Sequence, residues 1–172
     1  MSRAVLGGGC FWCIEGAYKN MRGIESALPA YTGGKDPNPN YNSVCSGSTG
    51  HAETVELLFD ESIISYEKIL EVFFTLHDPT QLNRQGNDIG TQYRSAIFFE
   101  SEIQKSIAES IKDKFSNYFD KEIVTEITPL NNHHIAEEYH HDYFNKNPNN
   151  QYCQFVVAPK ISAIRQKHSE LY

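Results

Sequence analysis

Two cysteines stand three residues apart in the stretch GGGCFWCIEG, Cys10 and Cys13, on either side of Phe11 and Trp12, the only tryptophan of 172 residues. A thiol reacts as its thiolate, and the N-terminus of a helix favours ionisation by placing partial positive charge beside the sulfur. The glycines before Cys10 permit a tight turn and the residues after it fall at helical spacing, so Cys10 is expected at a helix N-terminus, activated, with Cys13 one turn on and within reach of its sulfur. That arrangement suits a nucleophile with a resolving thiol. The same spacing also suits two buried small hydrophobic residues, half of a zinc site, or a general disulfide exchanger. Zinc needs a second pair of ligands, whereas Cys45 and Cys153 stand alone, and GHAE at 50–53 lacks the downstream PCxxC of a zinc deaminase. A general exchanger has little use for two bulky aromatics at the reacting sulfur. An aromatic wall beside a thiolate is better suited to holding a small apolar group.

The elements that must position these residues follow from hydrophobic periodicity. Ala4, Val5 and Leu6 read as a short strand ahead of the glycine turn, and Ile14, Ala17, Tyr18 and Met21 continue a helix from Phe11 to a stop at Gly23. A second strand is expected over 23–31, a long polar loop over 32–50, and a third strand over 52–59. Ser65 opens a helix whose Tyr66, Ile69, Leu70, Phe73 and Leu76 share one face, ended by Asp78-Pro79. After a second polar loop comes a strand over 94–100. A helix follows with a capping box from Ser101 and Gln104, and Ile103, Ile107, Ile111 and Phe115 at steps of four. A strand over 123–128, a histidine-rich helical segment over 137–145, a mostly irregular NPNNQYCQFVVAPK and a short terminal helix complete the chain. Strands interleaved with helices in this way imply an α+β or α/β two-layer domain.

Composition excludes several classes. With 40% hydrophobic and 22% charged residues the chain can bury a core of its own, so a single domain over 1–172 is expected. Four unevenly spaced cysteines do not make a secreted disulfide framework. A formal net charge of −7 without a basic stripe argues against nucleic acid. No apolar run approaches the roughly 18 residues of a membrane span. Met1 stands too close to the cysteine motif for a signal peptide, and a cytoplasmic location is expected.

Several motifs together carry a resemblance. GGGCFWCIEGAY, YTGG at Tyr31, PNPNY at Pro37, VCSGSTGHAE at Val44, HDPTQLNRQGNDIGTQYRSAIF at His77 and AEEYHHDYFNKNPNNQYC at Ala136 are similar to peptide methionine sulfoxide reductases of the A type, over almost the whole chain. The resemblance implies an α+β two-layer sandwich with a ferredoxin-like core, a mixed sheet flanked by helices, and a long irregular C-terminal segment. It implies reduction of methionine S-sulfoxide, free or in proteins, by a monomer without metal or cofactor, recycled by thioredoxin or, in the test tube, dithiothreitol.

Residue by residue, the resemblance makes Cys10 the nucleophile that becomes a sulfenic acid, with Phe11 and Trp12 cradling the S-methyl group. A sulfoxide oxygen leaves only if protonated, so a carboxylic acid held neutral should face it. Glu53 is the match, although taken alone on a strand it would read as a solvated surface charge. Tyr41 and Tyr93, of ten tyrosines, would donate to the same oxygen, and Asp88 would complete the polar wall. Many relatives have glycine at the position of Cys13 and resolve with a cysteine near the C-terminus; this chain has both Cys13 and Cys153. Cys13 is favoured because its tether of one turn gives a high effective concentration, and a relay through Cys153 stays open. Cys45 reads as structural, His51 as a support for the site's hydrogen bonds, and His133, His134, His140 and His141 as a solvated helix rather than a metal site. Two rivals remain, a structural Cys₄ zinc module and a general thiol-disulfide oxidoreductase.

Overall fold

A computed structural model describes residues 1–172. Its elements run in the order β1 (Ser2–Gly7), α1 (Phe11–Tyr18), β2 (Ile24–Thr32), α2 (Tyr41–Cys45), β3 (Ala52–Phe59), α3 (Tyr66–Leu76), β4 (Arg84–Gln85), β5 (Asp88–Ile89), β6 (Ala96–Phe99), α4 (Glu102–Phe115), β7 (Glu126–Pro129), β8 (His133–Ile135), α5 (Tyr143–Lys146) and α6 (Ala158–Lys167). The main sheet has the order β7-β6-β1-β3-β2-β8, antiparallel except where β7 runs alongside β6, and β4 and β5 form a small hairpin. The units β1-α1-β2 and β3-α3-β6 interleave, each leaving room for a strand of the other. That is the split βαβ arrangement of a ferredoxin-like core, extended by one strand at each edge.

Strand alternation sorts the two faces of the sheet. Ala4, Leu6, Val55, Leu57, Phe59 and Ile97 face α1 and α3, where they meet Phe11, Ile14, Tyr18, Ile69, Leu70, Phe73 and Phe74 in one large core. On the opposite face Val5, Ala52, Ala96 and Phe98 form a small apolar patch against Leu130. Beside it runs a polar ladder in which His133 Nε2 and Arg3 both meet the Glu56 carboxylate, at 2.7 and 3.3 Å. The helices begin where side-chain caps allow: Ser65 Oγ accepts the Lys68 N–H at 3.0 Å, and Asn40 and Ser43 cap the short α2 reciprocally.

Several expectations are corrected. Helix α1 stops at Tyr18, and Met21 packs into the core from a turn instead. The loop over 32–50 contains α2. The strand expected over 123–128 pairs only from Glu126. At α4, Ser101 accepts from the Gln104 N–H, but Gln104 Oε1 accepts from Glu100 N–H rather than from Ser101, so the capping ring closes one residue early. Ile103, expected on the apolar face, is 73% exposed in the first turn of α4.

The largest differences lie in the last third of the chain. The histidine-rich segment is not one helix. His133 and His134 lie in β8, Glu138–His140 make a tight 3₁₀ turn, and Asp142 adopts a left-handed conformation (φ 59°) before α5. Conversely, NPNNQYCQFVVAPK is helical from Gln151, with a wide π-type turn over Cys153–Val157 that leads directly into α6. The wide turn has a local cause. Pro159 has no N–H to give to the carbonyl four residues back, and its ring would collide with it, so the helix expands there instead of breaking. No helix is long and apolar enough to cross a membrane.

Candidate active site

Cys10 caps α1 with an extended backbone (φ −63°, ψ 128°), directly after Gly9, whose φ of 88° only glycine adopts without strain. Gly9 N–H donates to the Tyr93 carbonyl at 3.2 Å, which fastens the second polar loop against the residue before the cysteine. Cys10 and Cys13 lie with Cys153, Val157 and Ile161 in one apolar cluster beside Trp12, Tyr143 and Tyr152. Three of the four thiols therefore share a site; all four are free. Close approach of α1 and α6 makes this cluster, and Gly16 allows it, because a methyl group there would collide with Ile161.

Glu53 has the same strand phase as Val55, Leu57 and Phe59, so its side chain points at α1 rather than at solvent, and it is 1% exposed. Its Oε1 accepts the Phe11 N–H at 3.1 Å, a free amide of the first turn of α1. The carboxyl and the Cys10 thiol thus converge on one helix N-terminus. Burial pushes the Glu53 carboxyl up to about 8, with the Phe11 amide pulling the other way and the Asp88 charge adding to the rise. It is protonated at neutral pH.

The expectation of an activated Cys10 thiol is corrected. Burial pushes it well up, and its hydrogen bond to Cys13 and the nearby Glu53 charge act in the same direction, against the weaker pull of the Trp12 amide. Cys13, the acceptor of the Cys10 S–H, is lowered. The helix terminus is where the sequence indicated, but loss of water outweighs the partial charge of one helix turn.

The aromatic residues form a connected group. Phe11 is fully buried, with its ring 5.7 Å from Tyr31 and 5.0 Å from His140. Trp12 is the accessible partner. One face of the indole is covered by the Tyr143 ring, 3.8 Å away and within 4° of parallel, its Nε1–H donates to His140 Nδ1 at 3.1 Å, and Tyr152 meets it edge-on. His140 Nδ1 is therefore unprotonated, in keeping with burial lowering this imidazole to about 4.

At the polar end, Tyr41 and Tyr93 are half-buried, and both hydroxyls are pushed up by burial and by the Glu53 charge, so they stay protonated donors. Tyr41 N–H donates to Glu137 Oε2 at 2.9 Å, and its hydroxyl hydrogen-bonds the Cys45 sulfur. Cys45 is thus a neighbour of the polar wall and lies apart from the other three thiols. Asp88, on β5, accepts from the Tyr152 hydroxyl at 2.5 Å. His51 is 1% exposed and uses both ring nitrogens, accepting from Gly34 N–H at 3.0 Å and donating to the Asp36 carbonyl at 2.8 Å. It pins the first polar loop and does not face the thiols. No three His, Cys, Asp or Glu side chains are grouped as metal ligands.

The structure thus brings together Cys10, Cys13, Cys153, Trp12 and Phe11 with Glu53 at one helix start, flanked by Tyr41, Tyr93 and Asp88. Sequence reasoning missed Glu137, His140, Tyr143 and Tyr152, whose only signal was their position in a segment dense in aromatics and histidines. A surface cleft of about 790 Å³, lined by His77, Asp78, Arg84 and Lys121 among others, contains none of these residues.

Comparison with known proteins agrees with this geometry. The family model described as peptide methionine sulfoxide reductase matches residues 2–171. The peptide methionine sulfoxide reductase MsrA of Saccharolobus solfataricus is 52% identical, covering 94% of this chain and 91% of its own length. That of Pseudarthrobacter chlorophenolicus is 50% identical, covering 98% and 97%. Among solved structures, the reduced form of Mxr1 from Saccharomyces cerevisiae superposes with a TM-score of 0.84 at 34% identity, covering 88% of each chain. With the family model matched over residues 2–171 and relatives at 50% identity or more over nearly the whole length of both chains, the chain belongs to the peptide methionine sulfoxide reductase family of oxidoreductases.

Proposed function

We propose that the whole chain acts as one catalytic domain in which Cys10 attacks the sulfur of methionine S-sulfoxide while Glu53 protonates the departing oxygen. The observation that carries this reading is the Glu53 carboxyl on the Phe11 amide, uncharged at neutral pH and next to the thiol. The proton balance supports it. Thiol plus sulfoxide gives sulfenic acid plus sulfide with no net proton taken up, so a site that keeps both the thiol and the acid protonated holds all it needs. Glu53 gives its proton to the oxygen, the thiol proton replaces it, and the oxygen ends on Cys10 as S–OH. Trp12, with Phe11 behind it, would receive the S-methyl group, and the Tyr41 and Tyr93 hydroxyls would orient the oxygen with help from the Asp88 region. The S epimer follows from the A-type resemblance, since each epimer has its own enzyme.

Resolution follows when a second thiol displaces hydroxide from Cys10 as water, forming a disulfide. Cys13, hydrogen-bonded to Cys10 and one turn away, is the first candidate; Cys153, in the same apolar cluster, would accept the disulfide next. Two electrons from an external dithiol then restore the thiols. Mxr1 of S. cerevisiae is also known in complex with Trx2, and thioredoxin is the reductant assigned here, with dithiothreitol as its laboratory substitute. Substrates are methionine sulfoxide as the free amino acid and in oxidised proteins, and the site residues call for no metal.

The test is Cys10→Ser assayed with methionine S-sulfoxide and dithiothreitol. No methionine above background is expected. Continued turnover would remove Cys10 from the role of nucleophile.

A further inference from the structure

Glu15 is a second carboxyl buried on α1, 2% exposed, and the chemistry above does not use it. Its Oε2 accepts the Asp142 N–H at 2.8 Å, and the Tyr143 N–H points at the same carboxyl. Asp142 is left-handed and α5 has no side-chain cap from its own residues. Glu15 supplies that cap from across the molecule. Two sets of contacts lead on from it. The Tyr143 ring lies flat on Trp12. Its hydroxyl accepts from Asn150 Nδ2 at 3.3 Å, and Asn150 Oδ1 accepts the Cys153 N–H at 3.1 Å. A continuous series of contacts joins one buried carboxyl to the indole and to the third thiol.

We propose that Glu15 is a positioning residue that clasps the C-terminal segment to α1, holding Tyr143 on Trp12 and Cys153 beside Cys10 and Cys13. Opening the clasp frees the segment to carry Cys153 from the apolar cluster to a reducing protein; this second part rests on the function proposed above.

The charges facing the clasp give it a pH dependence. Lys19, just after α1, pairs with Asp142 at 2.9 Å, Arg165 on α6 lines the same small recess, and His141 precedes Asp142 with its Nε2 on the Ala136 carbonyl. Burial raises the Glu15 carboxyl to about 7, opposed by the Asp142 amide and Lys19. A carboxyl raised in the seated form and near its ordinary value when solvated binds its proton more tightly when seated. Seating is therefore strongest in acid, weakens as pH rises from about 5 through 7, and is level above that.

The experiment is amide hydrogen exchange at Asp142 and Tyr143, divided by the intrinsic rate at each pH, without substrate, on wild type, Glu15→Gln and Glu15→Ala. Wild-type protection is expected to fall by roughly 10²-fold between pH 5 and 8, as a carboxyl at about 7 when seated and near its ordinary 4.5 when open loses its proton. Glu15→Gln, an uncharged acceptor of the same shape, should stay protected throughout, and Glu15→Ala should be weakly protected throughout. Fluorescence of the single tryptophan should follow the same pattern. Level wild-type protection across this range, or an unchanged pH dependence in Glu15→Gln, overturns the clasp. Wild type and Glu15→Gln decide the matter even if Glu15→Ala fails to fold. Turnover of Glu15→Gln with thioredoxin at pH 8 should fall several-fold, and equal turnover overturns the release step. The exchange arms use no substrate, so they stand whatever Cys10→Ser reveals.

Discussion

The sheet with α1 and α3 differs from the segment after residue 130 in what holds it. In the first region, Phe59, Leu70, Phe73 and Phe74 are almost wholly buried in one apolar cluster, and backbone ladders fix the strands. In the second, α5 spans only Tyr143–Lys146, the helix after it carries a wide turn, and Phe155 is 76% exposed. There the chain is held by a small apolar cluster around Cys153, Val157 and Ile161 together with separate polar contacts, among them Glu15 to Asp142, Asp88 to Tyr152, Asn150 to Cys153 and Trp12 to His140. An apolar core fixes the reacting group without regard to pH or redox state. Single polar contacts can be undone one at a time, which suits the release proposed for the segment that carries Cys153.

The sharpest way to separate the two regions is to remove the acid. Glu53→Gln should slow sulfoxide reduction by about 10²- to 10⁴-fold. In wild type that step should decline as pH rises through about 8, where Glu53 loses its proton, and the variant should lack this alkaline limb, as single-turnover rates would report. The same substitution should stabilise the fold. A carboxyl raised from 4.5 to about 8 on folding contributes fully below 4.5 and loses that contribution as pH rises through 8. At pH 9, Glu53→Gln should therefore resist urea better than wild type by a few kcal/mol. Lower stability there would mean that the Phe11 amide outweighs the burial cost.

Packing gives the next contrast. Phe73→Ala should cost about 3–5 kcal/mol, whereas Phe155→Ala should stay within about 0.5 kcal/mol. Equal losses in denaturant titrations would abolish the distinction drawn here. The thiols then divide by step. Cys13→Ser and Cys153→Ser should each release one methionine per chain in a burst, because Cys10 is intact, and then recycle more slowly with thioredoxin. Peptide mapping of wild type after one equivalent of substrate should find Cys10 linked to Cys13 first; a direct Cys10–Cys153 bond would reverse the order. Tyr152→Phe should have a small effect on stability, about 1 kcal/mol or less from one hydrogen bond to Asp88.

Much of the first region was legible because its signals are local. Alternation in Ala52–Phe59, the four-residue steps of α3 and the caps at Ser65 and Ser101 each depend on neighbours along the chain. The same parity that buries Val55 and Leu57 also assigns Glu53 to the core side, a signal that a solvated reading of an isolated acid overlooks. The segment from 137 to 157 was misread because asparagine, proline and histidine are poor guides to helix when the stabilising partner is distant. Asp142 tolerates its left-handed turn beside Glu15, which is remote in sequence, and Pro159 is accommodated by a wide turn rather than a break.

By itself the sequence determined the main strands and helices as far as α4, the cysteine at a helix start, and the motif set that names the family. Only the tertiary structure decided the protonation of Cys10 and Glu53, the gathering of a third thiol beside the first two, and the covering of Trp12 by Tyr143. The reason is that secondary structure follows from nearest neighbours and periodicity, whereas the free energy of a charge depends on how much water is excluded around it. At Cys10 and Trp12 that exclusion comes from a segment more than a hundred residues away in the chain.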